Sequence, residues 1–359
     1  MRVCLSMIIK NESKVIERCL RSVRPFVHSW AIVDTGSTDG TQALVRSVMG
    51  DLPGELAENP WIDFAANRNQ ALALARKHGD YALIIDADEV LEAAPGFVYG
   101  KLDAPGYMLE LIYGDTRYRR VAMPGLNAQW EWQGVLHEVL VSPHAAQAEF
   151  LPGLSIRVFT DGARSQQSQE QKYSNDAEVL RQALLKEPSH TRYAFYFAQS
   201  LRDAGKTQDA IEAYEKRIAM GGWVEEVYYA KLQVAVLKER IGAPPGDILL
   251  AYLDAYNFRP IRAEAICEFA RYNRLQQRYV VARDAAQIAA ATPMPPDLLF
   301  MDTTVYEWRA RDELAVSAYW AGDRELSARL CRELLADAKL PAAQRERVKQ
   351  NLAFSENAA

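Results

Sequence analysis

The hydrophobic pattern of this chain changes its period about halfway along. Up to about Phe159, short apolar runs typical of strands alternate with amphipathic helical segments. Beyond about Gln169 the strand signal disappears, and Ala, Leu, Arg, Glu and Gln dominate to the end. Periods of about 2 and about 3.6 residues indicate strands and helices respectively. The pattern therefore predicts an α/β domain over residues 1–168 and an all-α domain over residues 169–359, each of ordinary domain size.

The first half has the layout of a nucleotide-binding α/β fold. Residues 3–9 and 30–33 are apolar runs typical of buried strands, and residues 12–23 form an amphipathic helical pattern between them. The loop 34–41 opens a second helix, and residues 64–77 predict a third. Strands that alternate with helices imply a mostly parallel sheet with right-handed crossovers.

Composition excludes several classes of protein. Hydrophobic residues make up 49% and charged residues 25% of the chain, and the net charge is -5 without a basic run, so a dedicated nucleic-acid binder is excluded. No signal-peptide pattern and no bilayer-length apolar run is present, which predicts a cytoplasmic protein, with peripheral contact to an inner membrane surface left open. Neither a zinc site nor a disulfide framework is indicated by the dispersed cysteines, Cys4, Cys19, Cys267 and Cys331.

The second half contains degenerate helical repeats. One segment has the small-residue spacing of a tetratricopeptide unit, carried by Ala198, Leu201, Gly205, Ala210 and Tyr214. The spacing from Ala198 to Gly205 recurs between Ala315 and Gly322. We predict about three to four helix pairs stacked as a solenoid, whose concave face takes a peptide or another subunit. The alternative is a plain helical domain that stabilises the first half or dimerises it.

An apolar strand that ends in two carboxylates is the strongest functional signal. The run 81–85 is followed directly by Asp86 and Asp88. Parallel α/β sheets bind ligands at the carboxyl ends of their strands. Mg²⁺ and Mn²⁺ prefer oxygen ligands, and one or two carboxylates plus substrate phosphates often suffice to hold them. The pattern indicates a metal-diphosphate site. The alternative is that these acids cap a helix that begins at Glu89.

Other polar residues also lie where strands are predicted to end. Asn11 follows the first strand, and Asp34 closes the second, where its carboxylate can accept hydrogen bonds from a nucleobase or ribose. Asp39 either supports its loop or touches the nucleotide. Arg68 is placed by the pattern in the first turn of a helix, and a helix N-terminus together with an arginine is a good diphosphate cradle.

These motifs, in this order, resemble the family 2 inverting glycosyltransferases of GT-A fold. The resemblance covers the first half continuously and extends into the helical repeats, which are similar to the tetratricopeptide-bearing branch that includes the sublancin S-glycosyltransferase. It rests on the strings MIIKNE at 7–12, DTGSTDGT at 34–41, ANRN at 66–69, DAD at 86–88 and WQGVLHE at 132–138.

The resemblance implies a donor site for a nucleotide-sugar, UDP-linked in the first instance. By that resemblance Asn11, Asp34 and Asp39 hold the nucleoside. Arg68 contacts the diphosphate, with Asp86 beside it. The reaction implied is transfer of the sugar, with inversion, to a peptide, protein or glycan acceptor. The sequence leaves the sugar and the acceptor undetermined.

The resemblance also implies a divalent metal, Mn²⁺ or Mg²⁺, and a general base. Asp86 and Asp88 form the Asp-x-Asp motif, with Asp88 as the direct ligand, and Glu138 takes the place of the base. Related sequences carry a metal-binding His near the end of the domain, where this chain has Asp161. Asp161 either substitutes as an oxygen ligand or leaves the metal more weakly held. His137 orients Glu138, binds the acceptor or satisfies local backbone groups.

Several alternatives stay open on the sequence alone. Trp130 and Trp132 either stack on a sugar or pack in the core, and Arg119 and Arg120 either approach phosphate or are solvated. A sugar nucleotidyltransferase also uses an acidic metal site on an α/β sheet, although it requires a Gly-rich basic loop after its first strand. A binding or scaffold protein would use the helical array alone, through a peptide or as a homodimer.

Overall fold

The computed structural model describes residues 1–114, 116–159, 161–162, 168–297 and 299–356, without the side chains of 116–118 and 146. The chain divides into two compact units, Met1–Lys186 and Glu187–Ala359. The helix over 169–186 groups with the first unit, whereas the change of sequence period places the domain boundary before it. The units are described separately below.

A parallel four-stranded sheet forms the centre of the first unit. Its order is β3-β2-β1-β4, and every neighbouring pair is parallel. Apart from one half-buried position in β1, the strands β1, β2 and β4 are buried, as expected of parallel strands covered on both faces. The bounds are β1 (Val3–Ile9), β2 (Ser29–Asp34), β3 (Gly54–Glu58) and β4 (Tyr81–Ile84).

Three helices follow the parallel strands, as the alternation predicts. Their bounds are α1 (Ile16–Val23), α2 (Thr41–Met49) and α3 (Phe64–Ala75). Helix α1 begins four residues later than the pattern predicts. Asn11 has a left-handed backbone with φ 56°, so the chain turns sharply after β1 before the helix starts.

A mixed sheet completes the first unit, and the prediction of a mostly parallel sheet applies to the first sheet only. In the order β5-β10-β6-β7, the central pair is parallel and the outer pairs are antiparallel. Glu89 begins β5, so the alternative in which a helix begins at this position is wrong. The bounds are β5 (Glu89–Ala93), β6 (Gly106–Tyr113), β7 (Thr116–Pro124) and β10 (Glu149–Val158), with a separate hairpin of β8 (Glu131–Gln133) and β9 (Val139–Val141).

The second unit is a helical array in which each helix packs against the next. Four successive pairs and a final helix lie within the described residues. Together with the sheets of the first unit, they confirm the predicted α/β domain followed by a tetratricopeptide-like helical domain. Gly205 and Gly322, with φ of 78° and 93°, lie just after the first helices of their pairs, as left-handed helix ends require. The bounds are α4 (Gln169–Lys186) in the first unit, then α5 (Thr191–Asp203), α6 (Thr207–Ala219), α7 (Val224–Arg240), α8 (Pro245–Phe258), α9 (Glu264–Leu275), α10 (Tyr279–Ala291), α11 (Ala310–Trp320, preceded by a π-turn at Val305–Arg309), α12 (Arg324–Ala336) and α13 (Ala342–Glu356).

Among the helices described, none combines the length and the apolar character needed to cross a membrane.

A buried ion-pair network holds the middle of the helical array. Arg262 is fully buried, and its guanidinium donates to Glu264 at 2.8 Å and to Asp297 at 3.3 Å. The same guanidinium lies 4.7 Å from the ring centre of Tyr228. Glu264 begins α9, and Asp297 lies in the connection that follows α10. The network therefore fixes this connection to the start of α9.

We expect Arg262→Met to destabilise the second unit by about 3–5 kcal/mol, because it leaves the buried Glu264 carboxylate without its cation. Urea unfolding of the full chain, followed by circular dichroism, measures the change. The control is Arg283→Met, which removes a partly exposed ion pair with Asp284 and should cost less than about 1 kcal/mol. Equal effects of the two substitutions would contradict the importance of the buried network.

Candidate active site

One guanidinium joins two of the carboxylates that the sequence singled out. Arg68 contacts Asp86 at 2.8 Å (Nη2 to Oδ1) and Glu138 at 2.7 Å (Nε to Oε1). Its side chain is only 11% exposed. Helix α3 starts at the N-cap Asp63, which accepts the amide hydrogen bond of Ala66, so Arg68 is the fifth helical residue. The predicted placement in the first turn of the helix is therefore wrong.

The surroundings of Arg68 keep it positively charged and fixed. Burial alone would lower its pKa, but Asp86 and Glu138 outweigh this effect and raise the pKa. Burial likewise opposes ionisation of Asp86, and the charge of Arg68 prevails to lower the pKa of that carboxyl. The guanidinium lies 5.1 Å from the ring centre of Trp132. The Asn69 side chain donates to the Trp132 carbonyl and accepts from the Trp132 amide, both at 2.8 Å. Trp132 is thus a buried platform for Arg68.

The acidic pair lies in a tight turn between β4 and β5. The Glu89 amide donates to the Asp86 carbonyl at 3.0 Å, and the Asp86 amide donates to Glu89 Oε2 at 2.9 Å. Glu89 is 3% exposed and pairs with Arg120 of β7 at 3.0 Å. Burial, then the charge of Asp86, raises the pKa of Glu89 to about 7, against the opposing effect of Arg120.

Glu89 is a site residue that sequence reasoning missed, because the sequence presented it only as the start of a helix. Residues 89 and 91 are buried in the structure, as on one face of a strand, but the sequence Glu-Val-Leu-Glu-Ala has no alternation of apolar and polar residues that marks a strand. The sequence allows two roles for Arg120, a contact with phosphate or a solvated charge. In the structure it balances the buried Glu89.

Asp88 and Asp161 approach each other but differ in their partners. Arg18 donates to both carboxylate oxygens of Asp161 at 2.8 Å and to the Asp88 carbonyl at 3.3 Å. The hydrogen bonds from Arg18 lower the pKa of Asp161. Burial, then the negative charge of Asp86, raises the pKa of Asp88. Gly162 lies so close that a Cβ there would be 2.7 Å from Asp88 Oδ2.

The donor chemistry fits a divalent ion that shares its ligands with a diphosphate. Asp86 is paired with Arg68 and Asp161 with Arg18, whereas the contact of Arg18 with Asp88 is to the backbone carbonyl. In the described part of the chain, no group of three His, Cys, Asp or Glu side chains is arranged to hold a metal ion alone. Mg²⁺ sites of this kind usually combine one or two carboxylates with substrate phosphates. A metal role for Asp161 stays a prediction that requires release from Arg18.

Asp34 ends β2 with one carboxylate oxygen satisfied and the other unsatisfied. Its Oδ1 accepts the amide hydrogen bonds of Gly36 and Ser37, both at 2.7 Å. Its Oδ2 is buried without a hydrogen-bond partner. Leaving a buried acceptor unpaired costs about 1–3 kcal/mol, so this oxygen is suited to a donor group from a ligand.

Asn11 is occupied in holding together the loops after β1 and β2. Its side-chain oxygen accepts the Thr38 amide hydrogen bond at 2.8 Å, and its backbone amide donates to Ser37 Oγ at 2.8 Å. The predicted contact of Asn11 with the nucleoside stays a prediction.

Asp39 fastens the same two loops. It accepts the amide hydrogen bonds of Ser13 at 3.0 Å and Thr41 at 3.1 Å. Burial opposes its ionisation, but the hydrogen bonds from Thr41 and Ser13 outweigh burial and lower its pKa to about 2. Of the two roles left open for Asp39, loop support has direct contacts in the structure, and contact with the nucleoside stays a prediction.

Glu138 lies in the connection between β8 and β9, next to His137. The Glu138 side chain is 12% exposed, and its contact with Arg68 links residues 70 positions apart in the chain. His137 has a left-handed backbone with φ 52°, so the chain turns sharply just before Glu138. The predicted roles of His137 stay predictions. Trp130 is a core residue whose indole donates to the Pro105 carbonyl at 2.9 Å.

A family comparison agrees with this geometry. Residues 4–95 match the model of Glycosyl transferase family 2. The match lies within the first unit and includes Asp34, Arg68, Asp86 and Asp88. Glu138 lies beyond the matched residues.

Particular relatives extend the comparison. The chain is similar to a TPR repeat-containing protein of Synechococcus elongatus, with 41% identity over 26% of this chain and 22% of that protein. It is also similar to the SPbeta prophage-derived glycosyltransferase SunS of Bacillus subtilis, with 25% identity over 60% of this chain and 53% of SunS. The matched regions thus span about a fifth and about half of these relatives' lengths.

Solved structures include a tetratricopeptide repeat protein from Parabacteroides merdae, with a TM-score of 0.39 and 17% identity, covering 52% of this chain and 68% of that one. A likeness this distant adds nothing to the functional assignment.

The contacts of Asp39 predict a measurable pH dependence. Its pKa is lowered in the folded chain, so its contribution to stability is present above about pH 4 and is lost as the pH falls towards 2. We expect Asp39→Asn to reduce the pH dependence of the free energy of unfolding in this interval, by about 1 kcal/mol after allowance for solvent screening. Urea titrations of both proteins at several acidic pH values measure it, and parallel pH profiles would contradict the loop-fastening role.

Proposed function

We propose that this protein is a metal-dependent inverting glycosyltransferase that moves a sugar from a nucleotide-sugar, UDP-linked in the first instance, to a peptide, protein or glycan. The observation that carries the proposal is the Arg68 guanidinium, which contacts both Asp86 and Glu138. In the proposal Asp86 faces the donor and Glu138 faces the acceptor. The family match over 4–95 supports the same reading.

Asp34 would bind the nucleobase. Its buried Oδ2 needs a hydrogen-bond donor, and an N–H group of a base such as uracil supplies one. Asn11 and Asp39 keep the surrounding loops in place, so the base would bind against loops whose positions are already fixed.

Arg68, Asp86 and Asp88 would bind the diphosphate end of the donor. Asp88, with Asp86, would hold the divalent ion, which when bound supplies neutralisation of the negative charge on the departing diphosphate. Arg68 adds a fixed positive charge in a largely water-excluded position, where electrostatic stabilisation is strong.

Glu138 would act as the general base on the acceptor. It takes the proton of an acceptor hydroxyl or thiol while that atom forms a bond to the anomeric carbon. The bond from the anomeric carbon to the diphosphate oxygen breaks in the same step, so the nucleoside diphosphate leaves with the electron pair. Attack from the face opposite the leaving group inverts the anomeric configuration. Arg68 holds Glu138 by Oε1, which fixes the orientation of the base.

The helical array would serve the acceptor. A stack of helix pairs presents an extended concave surface, which suits a peptide or glycan chain or a second copy of this protein. Transfer to either class of acceptor is compatible with a carboxylate base.

We expect the protein to bind UDP more tightly with Mn²⁺ than without it, and to hydrolyse a UDP-sugar slowly in the presence of Mn²⁺. Asp88→Ala should lower the hydrolysis rate about 100-fold or more, because the charge on the leaving diphosphate is no longer neutralised. Calorimetric titration and a screen of nucleotide-sugars measure both effects. Asp103→Ala is the control, since Asp103 is an exposed acid paired with Lys101.

No metal-dependent nucleotide binding by the unmodified protein would contradict the glycosyltransferase proposal and favour a scaffold. A normal rate in Asp88→Ala would contradict only the metal assignment.

We expect Arg68→Lys to lower kcat/KM about 10²- to 10³-fold, because a single ammonium cannot reproduce the planar fork that reaches both carboxylates. Steady-state hydrolysis and transfer assays measure the loss. Arg76→Lys is a control at the C-cap of the same helix, where Arg76 Nη2 donates to the Trp130 carbonyl at 3.0 Å. Full activity in Arg68→Lys would show that the bridge is dispensable.

A further inference from the structure

The turn that carries the acidic pair is closed by reciprocal hydrogen bonds between its ends. Glu89 donates its amide hydrogen to the Asp86 carbonyl at 3.0 Å, and its own carboxylate accepts the Asp86 amide hydrogen at 2.9 Å. Reciprocal bonds between residues three apart satisfy both backbone groups at once, as they do in the capping boxes of helices. Glu89 therefore determines the backbone orientation of Asp86 without touching the Asp86 carboxylate.

A second contact holds the same backbone from the opposite side. The Cys19 thiol donates to the Asp86 carbonyl at 3.3 Å, and Cys19 is fully buried on α1. The Asp86 peptide groups are thus held by α1 and by Glu89. A backbone held in this way fixes the point from which the Asp86 side chain projects, and the Asp86 carboxylate contacts Arg68 at 2.8 Å.

The burial of Glu89 requires a partner cation, and β7 supplies it. Glu89 is 3% exposed, and an isolated buried carboxylate is costly. Arg120 Nη2 contacts the two carboxylate oxygens of Glu89 at 3.2 and 3.0 Å. The mixed sheet therefore supports the turn at the end of the parallel sheet.

We propose that Glu89 is a positioning residue that, neutralised by Arg120, orients the turn 86–89 so that Asp86 and Asp88 face the donor diphosphate. This inference rests on the proposed function. It adds a third acid, Glu89, to the Asp-x-Asp motif of Asp86 and Asp88, and this third acid acts through the backbone of Asp86. Glu89 itself does not touch the donor.

Two double variants separate positioning from charge balance. Both remove Arg120, so neither leaves a buried charge without its partner. Glu89→Gln with Arg120→Leu keeps a side-chain oxygen that accepts the Asp86 amide hydrogen, whereas Glu89→Leu with Arg120→Leu removes it. The two proteins differ only at residue 89, where Gln has an amide oxygen and an NH2 group and Leu has neither. Thermal unfolding should give similar Tm values for them.

We expect the Gln variant to retain kcat/KM for UDP-sugar hydrolysis within about 10-fold of the unmodified protein, and the Leu variant to lose about 100-fold. The Leu variant should also bind UDP with Mn²⁺ at least tenfold more weakly, while its affinity for UDP without metal stays unchanged because Asp34 is untouched. A general loss of structure would weaken both affinities together.

Equal activities of the two double variants, or an equal loss of UDP affinity with and without Mn²⁺, would overturn the positioning role. Both outcomes differ from failure of the proposed function, in which the unmodified protein itself shows no metal-dependent binding or hydrolysis.

Discussion

A single buried guanidinium organises the charged centre of the first unit. Arg68 touches Asp86 and Glu138, which come from different connections between strands, and it rests on the face of Trp132. Without that cation, two largely buried carboxylates would repel each other across a short distance. Because an arginine presents its donors in a rigid fork, it sets both the spacing and the orientation of its partners. Asp86 and Glu138 are thereby held in one geometry.

The parallel sheet explains the positions of Asp34 and Asp86. Asp34 follows β2 and Asp86 follows β4, with β1 between these strands. Carboxyl ends of parallel strands share an edge, so these two residues, about 50 positions apart in sequence, lie at the same edge of the sheet. The loops after β1 and β2 are in turn bound together by Asn11 and Asp39. The mixed sheet contributes differently, since its strand β7 supplies Arg120, which balances the buried acid in the turn at the end of β4.

Local patterns predicted most of the elements, and the failures have physical causes. Strand β3 was missed because an edge strand with the sequence GELAE is largely exposed and lacks an apolar run. The segment at Glu89 was given a helical alternative because an acid beside an acidic turn resembles an N-cap, whereas pairing with β10 makes it a strand. In the helical array, the repeats could be predicted because glycines mark left-handed helix ends, at Gly205 and Gly322.

The sequence by itself determined the change from an α/β half to a helical half, three of the four strands of the parallel sheet, and the polar residues at the ends of those strands. Those features follow from periodicity, turn chemistry and the position of polar residues after apolar runs, all of which are local. Only the tertiary structure decided which charges are paired. The partners of Arg68 and Arg18 lie up to 143 residues away, and they are brought near by sheet register and by the mixed sheet. Ion pairing depends on burial and distance, which no local pattern encodes.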